Sequence, residues 1–190
     1  DGALAESSLK EAKQLRIVDF GSGKGYLTFA VHDYLTNTLG IEARVTGVEL
    51  REDLVQLCNA AVAGLGIEGL VFEKGDIRSH AAEPLDIMIA LHACDTATDY
   101  AIHAGMRSGA SIILSAPCCH KELRPQIQSP SLMRPLLQYG VHLGQEADMV
   151  TDGLRALLLE TRGYEAKIFE FVSLEHTSKN KMILAVKRDH

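Results

Sequence analysis

Apolar residues along the chain alternate between short dense runs and longer runs spaced at three and four residues. Residues 15–20 (LRIVDF) read as a buried strand running into Gly21-Ser22-Gly23-Lys24-Gly25. Leu27, Ala30, Val31, Tyr34, Leu35 and Leu39 then mark one face of a helix that Gly40 ends. The unit repeats: residues 43–50 predict a strand, and Leu54, Leu57, Cys58, Ala61, Val62 and Leu65 line a second helix closed by Gly66. Residues 70–73 predict a third strand entering Lys74-Gly75-Asp76. Residues 85–91 predict a fourth, apolar enough to be buried on both faces, ending at His92-Ala93-Cys94-Asp95. A helix over 97–107 leads to a fifth strand, 110–116, which ends at Pro117-Cys118-Cys119-His120.

The flanks are less regular. Residues 3–14 carry apolar positions at loose helical spacing, and 121–131, with Pro125 and Pro130, predict a loop. Short helical material follows from Leu132, then a longer helix over 146–161 stopped by Gly163. Residues 164–173 and 181–187 read as two strands joined by a polar turn, an antiparallel finish to a parallel sheet. Alternation of strand and helix predicts an α/β fold with helices on both faces of the sheet.

The length of 190 residues suits one domain, 1–190, and excludes a second full-sized lobe. Hydrophobic residues at 46% and charged residues at 23% exclude disorder, collagen and coiled coil. Twenty-five acidic against nineteen basic residues give a formal charge of −6, so a nucleic-acid partner would need a local basic face. No apolar run approaches the ~18 residues of a membrane span, and the first residues lack a secretory leader pattern. Cys58, Cys94, Cys118 and Cys119 show no spacing of a secreted disulfide framework, so reduced thiols and a cytoplasmic location are expected, with no membrane or DNA partner. The chain opens on Asp1 rather than Met, and a piece of a longer protein is expected.

The glycine turn excludes two nucleotide-binding patterns. A phosphate-binding loop needs Gly-Lys-Ser/Thr, but Lys24 is followed by Gly25; the dinucleotide spacing fails because Tyr26 stands third after Gly23. What fits is acid-x-Gly-x-Gly-x-Gly over Asp19, Gly21, Gly23 and Gly25. A ligand with a cationic amino-acid end and no pyrophosphate gains from a carboxylate beside the turn, and glycines let its body approach the backbone. Glu49, closing the second strand, can accept from both hydroxyls of a ribose. Singly, Asp19 reads as a turn cap, Glu49 as a solvated strand end and Asp76 as a turn aspartate. Three acids at three successive strand ends outweigh those readings.

This arrangement resembles the first motif of class I S-adenosylmethionine (AdoMet)-dependent methyltransferases. The resemblance implies a Rossmann-like seven-stranded, mostly parallel sheet with an antiparallel terminal strand. It also implies AdoMet as cofactor, held by Asp19, Gly21, Gly23, Gly25, Glu49, Asp76, Ile77 and His92, with Asp76 at the adenine. It places the ends of the fourth and fifth strands at the transferable methyl, bringing His92, Cys94, Asp95, Cys118, Cys119 and His120 together. The Asn/Asp-Pro-Pro-Tyr/Phe motif of amine methyltransferases is absent. The residues 91–99 (LHACDTATD) and 116–121 (APCCHK) are similar to methyltransferase-like proteins related to the glutathione S-transferase C-terminal domain-containing protein. More distantly, they are similar to tRNA acceptor-stem 2′-O-ribose methyltransferases, from whose first motif Ala93 and Asp95 depart.

Four readings of these residues stay open. His120 or His92 acts as general base toward an oxygen or nitrogen acceptor. Alternatively, Cys118 or Cys119 adds to a pyrimidine ring and Cys94 ejects the product, although Cys94 lacks the preceding proline of cytosine-C5 enzymes. A zinc site of the histidines and cysteines is a third reading; no Cys-x-x-Cys knuckle is present and no metal is expected. In the fourth, the cysteines pack as small hydrophobes, and Asp95 or Thr96 caps the helix with Asp99 completing a capping box. That last reading is expected for Thr96, Asp99 and Cys58. The catalytic candidates are His120, His92, Cys118, Cys119 and Asp95.

Lys121, Arg124 and Arg134 lie near the expected acceptor mouth, and His176, Lys179 and Asn180 lie in the last turn. The expected function is methyl transfer from AdoMet to a macromolecule, RNA (tRNA or another) first and a protein side chain second. A small-molecule acceptor or a non-catalytic AdoMet-binding domain is the alternative; an NAD-dependent oxidoreductase conflicts with Tyr26.

Overall fold

The computed structural model describes residues 2–79, 83–91, 93, 95–120, 122–128, 130–171 and 180–188. Seven strands are present: β1 (Gln14–Phe20), β2 (Glu42–Glu49), β3 (Leu70–Lys74), β4 (Ile87–Ala90), β5 (Ile112–Ser115), β6 (Tyr164–Glu170) and β7 (Lys181–Lys187). The helices are α1 (Gly2–Ala5), α2 (Tyr26–Asp33), α3 (Glu52–Leu65), α4 (Thr96–Arg107), α5 (Arg134–Leu137) and α6 (Gly140–Thr161). The strands form one sheet in the order β3-β2-β1-β4-β5-β7-β6. β1 to β5 pair in parallel, and β7 inserts antiparallel between β5 and β6. The expected seven-stranded, mostly parallel architecture is therefore present, with its order reversing between β1 and β4.

Period-two alternation sorts the strand residues onto two apolar layers. Ile17, Ile87, Ile89 and Ile112 pack with Val55 and Cys58 of α3 on one face; Phe20, Met88, Ile113 and Ile183 pack with Ile102 of α4 and Leu159 of α6 on the other. All four β4 residues are buried, as a central parallel strand covered by helices on both sides requires. Carboxyl ends of β1, β4 and β5 consequently open on one edge of the sheet, where loops supply chemistry.

Three element boundaries differ from the sequence reading. The first helix is a single turn, because the Ser7 hydroxyl donates to Leu4 O at 3.0 Å and accepts the Leu9 amide at 3.2 Å, replacing helical bonds before Leu9 is buried. α2 continues into a π-helical turn at Tyr34–Thr38, where the Thr36 hydroxyl donates to His32 O at 2.7 Å. α6 starts at Gly140 rather than 146; Gly140 and Gly144 cost about 1 kcal/mol each, which burial of Ala147, Asp152, Arg155 and Leu159 offsets. The end of the strand expected over 164–173 and the turn after it lie outside the described residues.

Tyr164 ties β6 to the start of β5: its buried hydroxyl donates to Ala110 O at 2.7 Å, and burial pushes the phenol above its ordinary value. Tyr164→Phe removes the donor from a buried carbonyl and is expected to lower stability by about 1–2 kcal/mol in urea unfolding.

Candidate active site

The turn after β1 adopts the conformation its glycines permit. Gly21, Gly23 and Gly25 have φ of +74°, +57° and +73°, a region that side chains resist. The amides of Gly21 and Ser22 donate to Val48 O at 2.8 and 3.2 Å, fastening the turn to β2. A Cβ at Gly25 would stand 2.7 Å from the Phe72 ring, whereas one at Gly23 would meet only Gly21 O, at 4.0 Å. Gly25 thus serves the protein's own packing, and Gly23 borders open space.

That space is a cavity of about 400 Å³ over the ends of β1 to β4. Phe20, Gly21 and Gly23 line it from β1, Val48, Glu49 and Leu50 from β2, Gly75 and Ile77 from beyond β3, and Ala93 and Ala97 from around the start of α4. Among the described residues Glu49 is its one charged lining residue. Its Oε2 accepts the Gly23 amide at 2.9 Å and its Oε1 accepts the Arg51 amide at 3.1 Å, which fixes the carboxylate and leaves each oxygen able to accept another donor. An apolar cleft with one held carboxylate and no lining cation suits a nucleoside carrying vicinal hydroxyls, as in AdoMet; a pyrophosphate would lack compensation.

Gly21, Gly23, Glu49 and Ile77 therefore line one cavity, as the glycine motif and strand ends suggested. Asp19 lies behind the turn, buried, accepting the Thr28 hydroxyl at 2.7 Å, and Gly25 closes the turn over Phe72. Asp76, beside Gly75, accepts the Arg78 amide at 2.9 Å and its Nε at 3.0 Å. These side-chain and backbone hydrogen bonds from Arg78 hold the Asp76 carboxyl down at about 2. Cys58 is buried beneath the turn, and burial pushes its thiol up, consistent with packing rather than chemistry. His92 and Cys94 lie outside the described residues.

A second cavity, of about 700 Å³, opens at the end of β5. Cys118, Cys119 and His120 line it with Arg124, the first turns of α6, and Glu170, Asn180 and Lys181 of β6 and β7. The Cys118 and Cys119 Sγ atoms are 3.7 Å apart. His120 faces a carboxylate of α6 at each ring nitrogen: Nε2 hydrogen-bonds Asp152 Oδ1 at 2.9 Å, and Nδ1 lies 2.6 Å from Asp148 Oδ1 without hydrogen-bond geometry. The His120 and Asp152 side chains are each 3% exposed, whereas that of Asp148 is 21% exposed.

Arg155 extends this network. Its guanidinium lies 3.4 Å from Asp152 Oδ1, donates to both Asp99 oxygens at 2.7 and 2.9 Å, and donates to Asp95 O at 3.0 Å. Asp95 and His120 are thereby joined through Asp152 and Arg155. The expected capping box is absent: Asp95, at φ +56°, makes no side-chain cap bond, and Asp99 turns to Arg155. Pairing a buried guanidinium outweighs a surface cap of about 1 kcal/mol. Among the described residues no group of three or more His, Cys, Asp or Glu is arranged to hold a metal ion. Asp148, Asp152 and Arg155 escaped the motif search; their signal is a polar run at helical spacing, continued by Leu159, on the buried face of α6.

A family model described as Methyltransferase domain matches residues 2–126. The chain belongs to the methyltransferase-domain family. The cofactor of this methyltransferase domain is AdoMet. The domain is 24% identical, over 90% of its length, to the glutathione S-transferase C-terminal domain-containing proteins of Bos taurus and Homo sapiens, and it spans 30% of those relatives. Magnesium protoporphyrin IX methyltransferase from Synechocystis, solved with bound AdoMet, shares its fold at a TM-score of 0.55 and 15% identity, covering 94% of this chain and 73% of that one. An rRNA methylase from Streptococcus thermophilus does so at 0.53 and 14%, covering 94% and 89%.

Two glycines of the methyltransferase domain are expected to fail differently. Gly25→Ala drives a methyl into Phe72 at positive φ and should cost roughly 2–4 kcal/mol of stability. Gly23→Val meets no clash at Cβ, only Gly21 O at 4.0 Å, so its cost is the strain of a side chain at φ +57°, about 1–2 kcal/mol; the folded fraction should no longer bind S-adenosylhomocysteine (AdoHcy) by calorimetry.

For Asp76, ion pairing contributes stability above the unfolded carboxyl value near ~3.9 and is lost as pH falls through its depressed value. A carboxyl NMR titration should place that midpoint at about 2.

Proposed function

We propose that the chain transfers the methyl group of AdoMet to a macromolecular acceptor, RNA in the first place and a protein side chain in the second. The observation that carries the transfer reading is the cavity at Gly21, Gly23 and Glu49, where a Cβ at Gly23 would meet nothing closer than Gly21 O at 4.0 Å. In this reading Glu49 accepts from the ribose hydroxyls, Asp76 receives the adenine amino group, Ile77 packs against the base and Asp19 supports the turn at the amino-acid end. His92 belongs to the same set by family resemblance.

AdoMet supplies an electrophilic methyl on a sulfonium. The protein's task is to place the acceptor and remove its proton. As a bond forms from acceptor oxygen or nitrogen to the methyl carbon, the carbon–sulfur bond breaks, its electron pair stays on sulfur, and the acceptor proton passes to the enzyme. His120 has a carboxylate against each ring nitrogen, so the proton enters through Asp148, the more exposed member, with His120 behind it. Cys118 and Cys119 line that opening, and Asp95 is tied to the loop beside it by the Glu122 amide.

The Cys-Cys-His sequence at the end of β5 supports kinship with the glutathione S-transferase C-terminal-containing group and, more distantly, with tRNA ribose methyltransferases. Arg124 and Lys181 at the second cavity support a phosphate-bearing acceptor, confined to a local face by the net charge of −6. Among the described residues no helix is long and apolar enough to cross a membrane. A cytoplasmic location is proposed on the cysteine spacing, which shows no secreted disulfide framework.

The test is transfer of radiolabelled methyl from AdoMet by the full-length protein into a cell extract, followed by separate ribonuclease and protease digestion. Ribonuclease-sensitive label is expected. Protease-sensitive label would replace RNA with a side chain, and absence of label despite AdoMet binding would leave a small molecule or no acceptor. Asp148→Asn and His120→Ala are each expected to lower the transfer rate by roughly 10²-fold or more with AdoHcy affinity retained.

A further inference from the structure

The Asp148-His120-Asp152-Arg155-Asp99 cluster is larger than holding a base requires. Arg155, with its side chain 4% exposed, makes its four contacts to three residues, Asp95, Asp99 and Asp152. Asp99 and the Asp95 carbonyl belong to the turn and helix after β4; Asp152 belongs to α6 and carries His120, which ends the segment after β5. The two loops also meet directly, through the Glu122 amide donating to Asp95 Oδ1 at 3.3 Å.

Asp95 is the one positive-φ residue other than glycine among the described residues, at φ +56°. Such a conformation persists only where surrounding structure over-determines it. Here the Arg155 Nη2 bond to its carbonyl, at 3.0 Å, and the Thr98 amide to the same carbonyl, at 3.1 Å, supply that hold. Ala93 and Ala97, on either side of Asp95, line the cofactor cavity, and His120 lines the second cavity. One guanidinium thus touches the wall of one cavity through Asp95 and the imidazole of the other through Asp152. A planar fork with five donors can serve these acceptors together, whereas a lysine ammonium cannot match their spacing.

We infer that Arg155 is a positioning residue of the transfer site: it sets the turn at Asp95 and, through Asp152, the imidazole of His120, so that the loops after β4 and β5 hold their places together. The inference rests on the methyl-transfer reading for its purpose, but its geometry is testable without turnover.

The test is amide hydrogen exchange and side-chain NMR on the full-length protein and two variants. The Thr98 amide reports the loop after β4, and the Glu122 and Arg124 amides, bonded to Asp95 Oδ1 and His120 O, report the loop after β5. Arg155→Lys is expected to accelerate exchange at all three by roughly tenfold or more and to shift the His120 ring nitrogen resonances. Asp152→Asn removes the charge that holds His120 and weakens the 3.4 Å contact to Arg155, but leaves the Arg155 bonds to Asp99 and to the Asp95 carbonyl, so Glu122 and Arg124 accelerate while Thr98 keeps its protection. If Arg155→Lys does not fold, the Asp152→Asn pattern alone decides: acceleration at all three sites, or at none, overturns the inference. So does Arg155→Lys that folds and changes only one loop. AdoHcy binding by the unmodified protein is measured alongside; its failure would remove the methyl-transfer reading while the exchange pattern still judged Arg155.

Discussion

The Phe72 ring fills the space that a Cβ would need at Gly25 and at Gly47, 2.7 and 2.5 Å away respectively, and everything at the cofactor end follows from that packing. The ring is buried against Phe29, at a centroid distance of 5.4 Å, and its own backbone is clamped by the Asn59 amide, which donates to Phe72 O at 2.7 Å and accepts the Phe72 amide at 2.9 Å. An edge strand would otherwise present those groups to water. With β3 clamped and the ring in place, the glycine turn sits against a rigid floor. Its own amides are then committed to Val48 O and Glu49, and its remaining face is left open for a ligand.

The other half of the site is organised by charge rather than by packing. Burying Arg155, Asp152 and His120 is costly unless each is paired, and the network pairs them in a chain whose exposed ends are Asp148 and Asp99. Removing any inner member would strand a buried charge. The chain therefore restricts motion at the proposed acceptor side, while the cavity over Gly23 is shaped by backbone and apolar walls. Division of labour between the two ends of one sheet edge matches a reaction joining a preformed cofactor pocket to a more polar acceptor side.

Local rules made the cofactor end legible in sequence. A turn needing three positive φ values within five residues announces itself as glycines, and strand ends gather at one edge because a parallel sheet aligns them, although of the three acids only Glu49 lines the cavity. Short dense apolar runs predicted all seven strands, including the fully buried β4. The acceptor end was half legible: Asp95, Cys118, Cys119 and His120 stood out by residue type, but their partners did not. His120 meets Asp152 across 32 positions and Arg155 meets Asp99 across 56, separations at which no spacing rule operates. Asp99 illustrates the cost. Its place three residues beyond Thr96 suggested a capping box, and a distant guanidinium claimed it instead. At Gly140 and Gly144 low intrinsic helix propensity hid the first turns of α6, which tertiary burial downstream sustains.

A cavity that, among the described residues, holds one fixed carboxylate and no lining cation should distinguish a sulfonium nucleoside from a dinucleotide in solution. The deciding measurement is calorimetric titration of the folded protein with AdoMet in the presence and absence of excess NAD. Saturable one-to-one binding of AdoMet, displaced by AdoHcy and indifferent to NAD, is the predicted result. Displacement by NAD, or no AdoMet binding to a protein shown to be folded, would contradict the assignment of the glycine-turn cavity.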